Sequence, residues 1–143
     1  MRIKDVLAAK PRHDVVTAVP TSTVRDLVAQ LTEHNLGALV VSSDGTRLDG
    51  IVSERDVVRH LGRDAAVLDQ SVESIMTQAV RTCTAEDKLD DLLSLMTEHR
   101  IRHVPVVDGD ALVGIVSIGD LVKHKISALE FERDQLDSYV HQS

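Results

Sequence analysis

The sequence predicts an α/β (α+β) fold built from two tandem β-α-β-β-α units, and three observations predict it. Thr32-Glu33-His34 recurs 65 residues on as Thr97-Glu98-His99 (97 − 32 = 65). Gly50-Ile51-Val52-Ser53 recurs 64 residues on as Gly114-Ile115-Val116-Ser117 (114 − 50 = 64). Val24, Leu27, Val28 and Leu31 stand at i, i+3, i+4 and i+7, and Leu89, Leu92, Leu93 and Met96 repeat that spacing. Each unit therefore carries one amphipathic helix with one apolar stripe. The one-residue difference between the two offsets falls between the matched segments, which places it in a turn.

Taken in order, each unit opens on a short β-branched run, Val15-Val16-Thr17 in the first and Val80-Arg81-Thr82 in the second. The amphipathic helix follows. After it comes a short apolar run, Gly37 to Val41 or His103 to Val107, and then a turn containing Asp44-Gly45 or Asp108-Gly109. A second apolar run ends at Ser53 or Ser117, which completes a strand, a hairpin turn and a strand. A further helix closes each unit, Glu54 to Leu61 and Ile118 onward. A unit of about 65 residues is marginal alone because its surface is large for its volume, so the two are expected to pack face to face as one pseudo-symmetric module. The expected boundaries are 1–64 for the first repeat, 65–125 for the second and 126–143 for a C-terminal amphipathic helix.

With 43% hydrophobic residues the 143-residue chain has enough apolar material for an ordinary core. Phe131 and Tyr139 are the only aromatic residues, and both lie beyond the repeats, so stacking platforms for single-stranded nucleic acid are missing. The net charge of −7 also opposes contact with a phosphate backbone, and nucleic acid is not an expected partner. No run reaches the ~18 to 20 apolar residues of a membrane span. Met1-Arg2-Ile3-Lys4-Asp5 has no uninterrupted apolar core of the kind a signal peptide needs, so a cytoplasmic protein without a membrane partner is expected. Cys83 is the sole cysteine, which excludes an internal disulfide and a cysteine-based zinc knuckle. Its counterpart in the first repeat is Ala18, and a small buried hydrophobe is the expected role.

The densest polar signal is Gly50-Ile51-Val52-Ser53-Glu54-Arg55-Asp56 with its echo Gly114-Ile115-Val116-Ser117-Ile118-Gly119-Asp120. Each places a hydroxyl at a strand end and a carboxylate three residues later, in the first turn of a helix. One reading is an N-terminal capping box. The reciprocal bond of that box is usually made by Glu or Gln, and the shorter Asp is expected to leave its oxygens freer. The second reading therefore gives each aspartate the two hydroxyls of a ribose, with the helix amides favouring a nearby phosphate. Arg59-His60 and Lys123-His124 repeat as well, either as surface partners of the aspartates or as phosphate contacts. His99 and His103 lie four apart beside Glu98, but that spacing gathers two histidines only if the helix continues, and here the chain is leaving it, so no metal is expected. The chain has no nucleophile elbow, no P-loop and no paired metal motif, and no catalytic residue is assigned.

The tandem β-α-β-β-α unit, the Arg102-His103-Val104-Pro105-Val106 strand and the Gly-hydrophobic-hydrophobic-Ser-x-x-Asp endings resemble a pair of cystathionine-beta-synthase (CBS) domains, a Bateman module, over about residues 1 to 125. The resemblance implies two repeats associated about a pseudo-two-fold axis, with two clefts for adenosine-containing ligands such as AMP, ADP, ATP, NAD or S-adenosylmethionine. It implies that Asp56 and Asp120 are ribose-binding acids with Ser53 and Ser117 as hydroxyl partners. Thr17 and Thr82 would contribute contacts from the first strands, and the strands around Ala38 to Val40 and His103 to Pro105 would line the adenine slot. The copies differ: the first has Glu54-Arg55 where the second has Ile118-Gly119, Val40 where it has Pro105, and Asn35, Gly37 and Ala38 where it has Arg100, Arg102 and His103. Phosphate groups would be held by that basic cluster or by Arg55.

Beyond Lys123 the sequence becomes a charged helix in which Ile126, Leu129, Leu136 and Val140 take a/d spacing, with Arg133 interrupting the seam. It is expected to pack on its own module or on a neighbouring subunit, and the resemblance implies a homodimer. The expected function is that of a regulatory sensor, not an enzyme, with an adenine nucleotide as regulatory ligand and no required cofactor. Its output would pass through dimer geometry or an unidentified effector protein. The alternatives are a small nucleotide- or metal-dependent enzyme and a structural dimerisation module with empty clefts.

Overall fold

The computed structural model describes residues 1–11 and 14–141. Its elements in chain order are α1 (Ile3–Ala9), β1 (Thr17–Ala18), α2 (Val24–His34), β2 (Ala38–Val41), β3 (Gly50–Ser53), α3 (Glu54–Leu61), α4 (Leu89–His99), β4 (His103–Asp108), β5 (Ala111–Ser117) and α5 (Ile118–His141). Two 3-10 turns, Ala65–Asp69 and Val72–Ser74, lie between α3 and α4. The two-repeat α/β plan is the observed one.

The repeats match down to single hydrogen bonds. Helices α2 and α4 both end on a left-handed residue, Asn35 (φ 53) and Arg100 (φ 55), which turns the chain toward the following strand. In both, the amide five positions on bonds back to the last turn, Leu36 to Leu31 and Ile101 to Met96, each at 3.0 Å. Strands β2 and β3 pair antiparallel from Ala38–Ser53 to Val41–Gly50, and β4 and β5 from His103–Ser117 to Asp108–Ala111 with a bulge at Val106/Val107. The one-residue slip between repeats falls in these hairpins, whose turns hold Gly45 and Gly109 at positive φ.

The first strands differ. β1 pairs parallel with β2 over Thr17–Val40 and Ala18–Val41, whereas Val80 to Thr82 form no strand and a single bridge, Cys83 to Val106, remains. The reason is Pro105, which stands where the first repeat has Val40: it has no N–H to donate to a neighbouring strand.

Each core is closed by a segment from outside the predicted run of its own repeat. Ala18, Val24, Leu27, Leu39, Val41, Val52 and Val57 are joined by Val67, Val72 and Ile75 from the 3-10 segment. Cys83, Leu89, Leu92, Met96, Val104, Val106, Val116 and Leu121 are joined by Ile3 and Val6 of α1, a helix the sequence reading did not foresee. The docking bonds correspond: Ile3 donates to Asp87 O and Leu89 to Met1 O, while Val72 donates to Ser22 O and Val24 to Gln70 O. Each core is thus tied to the far side of the chain.

Helix α5 runs without a break for 24 residues, about 36 Å at 1.5 Å per residue. Leu121 is buried, but Ile126, Leu129, Leu136 and Val140 are each more than half exposed, so the distal stripe does not pack on its own module. No helix among the described residues is long and apolar enough to cross a membrane.

Candidate functional site

Strands β3 and β5 deliver Ser53 and Ser117 to the starts of α3 and α5 by the same device. The first amide of α3 donates to Gly37 O at 2.9 Å, and the first amide of α5 donates to Arg102 O at 2.8 Å. Asp56 accepts the Ser53 amide on Oδ2 at 2.8 Å, and its own amide donates to Ser53 Oγ at 3.3 Å. Asp120 does likewise with Ser117, at 2.9 and 3.0 Å. Both aspartates therefore complete the capping box despite their shorter side chains. The bond is made by Oδ2 alone in each case, and among the described residues no hydrogen bond reaches either Oδ1.

The second copy carries a further group. Lys10, just beyond α1, donates from Nζ to Asp120 Oδ2 at 3.1 Å and to the Ile115 carbonyl at 2.8 Å. It borders a cavity of about 220 Å³ lined by Leu7, Lys10, Asp14 and Val15 on one side and Gly114 and Ile115 on the other. The walls come from two segments far apart in the sequence. Burial pushes the Asp120 carboxyl up, but the Ser117 amide and the Lys10 ammonium outweigh it and hold the group below its ordinary range.

His103 lies between the repeats. Its ring atoms Cε1 and Nε2 stand 3.2 and 3.3 Å from where a Gly37 Cβ would sit, with Glu54 Oε1 at 3.7 Å from the same point, so a Cβ there would make the ring give by a few tenths of an ångström. Burial lowers the His103 pKa; the Asp120 and Glu54 charges act against that, and Arg102 and Lys10 add to it.

A protein-family model described as CBS domain matches residues 3–63 and again residues 72–127. The chain belongs to the CBS-domain family. It is 39% identical over 148 residues to the mitochondrial CBS domain-containing protein CBSX3 of Arabidopsis thaliana, covering 96% of this chain and 71% of that protein. A CBS-domain containing protein of Agrobacterium tumefaciens superposes with a TM-score of 0.83 at 40% identity, over 87% of this chain and 99% of that one. The CBS domain pair of protein MJ0100, solved in complex with 5′-methylthioadenosine and S-adenosyl-L-methionine, superposes with a TM-score of 0.78 at 27% identity, over 90% and 98%.

In this CBS pair the sequence-predicted residues do not all converge. Ser53 joins Asp56, and Ser117 joins Asp120, beside His103. Thr17 is half-buried in β1, its carbonyl accepting from Gln30 Nε2 at 3.3 Å. Pro105 is buried opposite Ile115, while the side chains of Arg55 and Arg102 are exposed. Thr82 is exposed and lines a separate, open depression of about 700 Å³ with Thr46, Arg47, Val107, Gly109 and Asp110. That depression sits at the hairpin turns, six residues and about 20 Å along β5 from Ser117. Sequence reasoning missed Lys10 and Leu7, whose position follows from the unforeseen helix α1.

Proposed function

We propose that this CBS pair is a regulatory module that binds an adenosine-containing ligand in clefts at Ser53–Asp56 and Ser117–Asp120, without turning it over. The observation that carries the reading is the unengaged Oδ1 of Asp120, whose other oxygen is bonded by Lys10 in the wall of the cavity. A carboxylate whose orientation is fixed by the Ser117 amide through Oδ2 presents Oδ1 to a ribose hydroxyl at little entropic cost. The cavity is smaller than the ~300 to 1,000 Å³ of typical ligand pockets, so it suits a base, with ribose and any phosphate lying toward the helix starts. The ligands of MJ0100 support this choice of chemistry.

Because Asp14 and Val15, just before β1 of the first repeat, face Gly114 and Ile115 of the second across the cavity, a ligand touching both would favour one relative setting of the repeats. Regulation then follows from unequal affinity for two settings. The exposed apolar stripe of α5 supports a homodimer as the route by which that setting is read.

Titration calorimetry against AMP, ADP, ATP, NAD and S-adenosylmethionine tests the reading. Saturable binding lost in the Asp56→Ala/Asp120→Ala variant, with the nucleotide recovered intact, is expected. Binding that survives the double substitution contradicts it.

A further inference from the structure

The two clefts carry the same serine–aspartate box but not the same charge. At Asp120 the second donor to Oδ2 is the Lys10 ammonium; at Asp56 it is the neutral Ser53 hydroxyl, at 3.0 Å. Among the described residues no lysine or arginine forms an ion pair with Asp56. Lys10 and Asp120 therefore sum to no net charge in one cleft, whereas Asp56 stands uncompensated in the other. The first turns do not offset that difference: Glu54 and Arg55 at the first two positions of α3 carry opposite charges, and Ile118 and Gly119 at the matching positions of α5 carry none.

Lys10 is well placed to act on a ligand. Its side chain is 25% exposed, it lies at the rim of the cavity, and one of its three N–H groups is engaged by the Ile115 carbonyl, which moors the ammonium whatever the other two do. A phosphate brings about 1.5 to 2 negative charges. Within a few ångströms an uncompensated carboxylate repels it and an ammonium attracts it.

We propose that Lys10 makes the Asp120 cleft the site for a phosphorylated adenosyl ligand. Its ammonium turns from Asp120 Oδ2 to the ligand's phosphate while the ribose takes the carboxylate. The Asp56 cleft takes an adenosyl ligand without a phosphate, uncharged or cationic. This rests on the adenosyl reading above and assigns a ligand class to each cleft.

The test is calorimetric titration with AMP and with 5′-methylthioadenosine, which presents the same adenine and 2′,3′-hydroxyls with an uncharged methylthio group in place of the phosphate. The proteins are the wild type, Lys10→Met, Lys10→Arg, Asp56→Asn and Asp120→Asn, each checked for a cooperative melt. AMP binding is expected to be lost in Asp120→Asn and 5′-methylthioadenosine binding in Asp56→Asn. Lys10→Met should weaken AMP relative to 5′-methylthioadenosine by about tenfold or more, roughly 1.4 kcal/mol, and Lys10→Arg should restore most of that ratio. An unchanged ratio in Lys10→Met, or AMP binding lost through Asp56→Asn instead, overturns the charge division while leaving the adenosyl reading intact. Failure of the wild type to bind either nucleoside overturns both.

Discussion

Replacing Gly50 with alanine should cost far more stability than the same change at Gly114, although the two glycines are counterparts. A Cβ at Gly50 would stand 2.6 Å from Met76 Sδ and 2.9 Å from the Thr77 carbonyl oxygen. That carbonyl is held by the Ile51 amide at 3.0 Å, and the Thr77 amide donates in turn to Ile51 O at 2.9 Å. Backbone fixed from both sides cannot retreat without lengthening a bond. Overpacking of this kind costs about 1 to 3 kcal/mol, and one weakened backbone bond adds about 0.5 to 1.5 kcal/mol, so Gly50→Ala should lose roughly 2 to 4 kcal/mol. At Gly114 the close atoms all belong to Leu7, with Cδ2 at 2.8 Å, Cδ1 at 3.4 Å and Cγ at 3.7 Å. Leu7 is half-buried at the edge of the 220 Å³ cavity and has room to turn. An off-rotamer adjustment there costs about 0.5 to 1.5 kcal/mol. Urea unfolding of both variants, with the slope checked for constancy, measures the difference. Equal losses, or a larger loss at Gly114, would refute the reasoning.

Two further expectations concern titration. Burial above all sets the His103 pKa below its unfolded value, so between the two values the unfolded chain binds more protons. The contribution is complete above about pH 6.5 and is lost as pH falls toward the folded value. Urea midpoints at pH 7.5 and 5.5 should therefore differ less in His103→Gln than in the wild type; an equal or larger difference contradicts the assignment. Burial, helped by the Asp87 charge, pushes the Cys83 thiol up to about 12. At pH 8 it should react with a disulfide reagent only at the rate of unfolding, and rapid labelling of the native protein would show that the site is open.

The repeat, the helix stripes and the hairpins were legible because they rest on local periodicity, which the structure keeps. Helix α1 was not, although Ile3, Val6 and Leu7 have helical spacing: seven residues make a weak signal, and their partners lie some eighty positions away, at Ala85 to Leu89. Lys10 is silent in the sequence for the same reason, since its meaning comes from Asp120 at the other end of the chain. Val80 to Thr82 read as a strand because strand propensity belongs to the segment itself, while the missing donor belongs to Pro105. Thr82 echoes Thr17 in sequence but faces the hairpin depression. The serine–aspartate spacing announced a capping box and a ligand site as alternatives. The geometry makes them compatible, since Oδ2 serves the box and Oδ1 is left over.

Amide hydrogen exchange with and without saturating AMP tests the central claim most directly. Binding in the clefts between the repeats predicts slowed exchange at the starts of α3 or α5, around Asp56 or Asp120, and along Gly114 and Ile115. Protection confined to Thr46, Arg47, Thr82 and Gly109 would place the ligand at the hairpin depression and contradict the account.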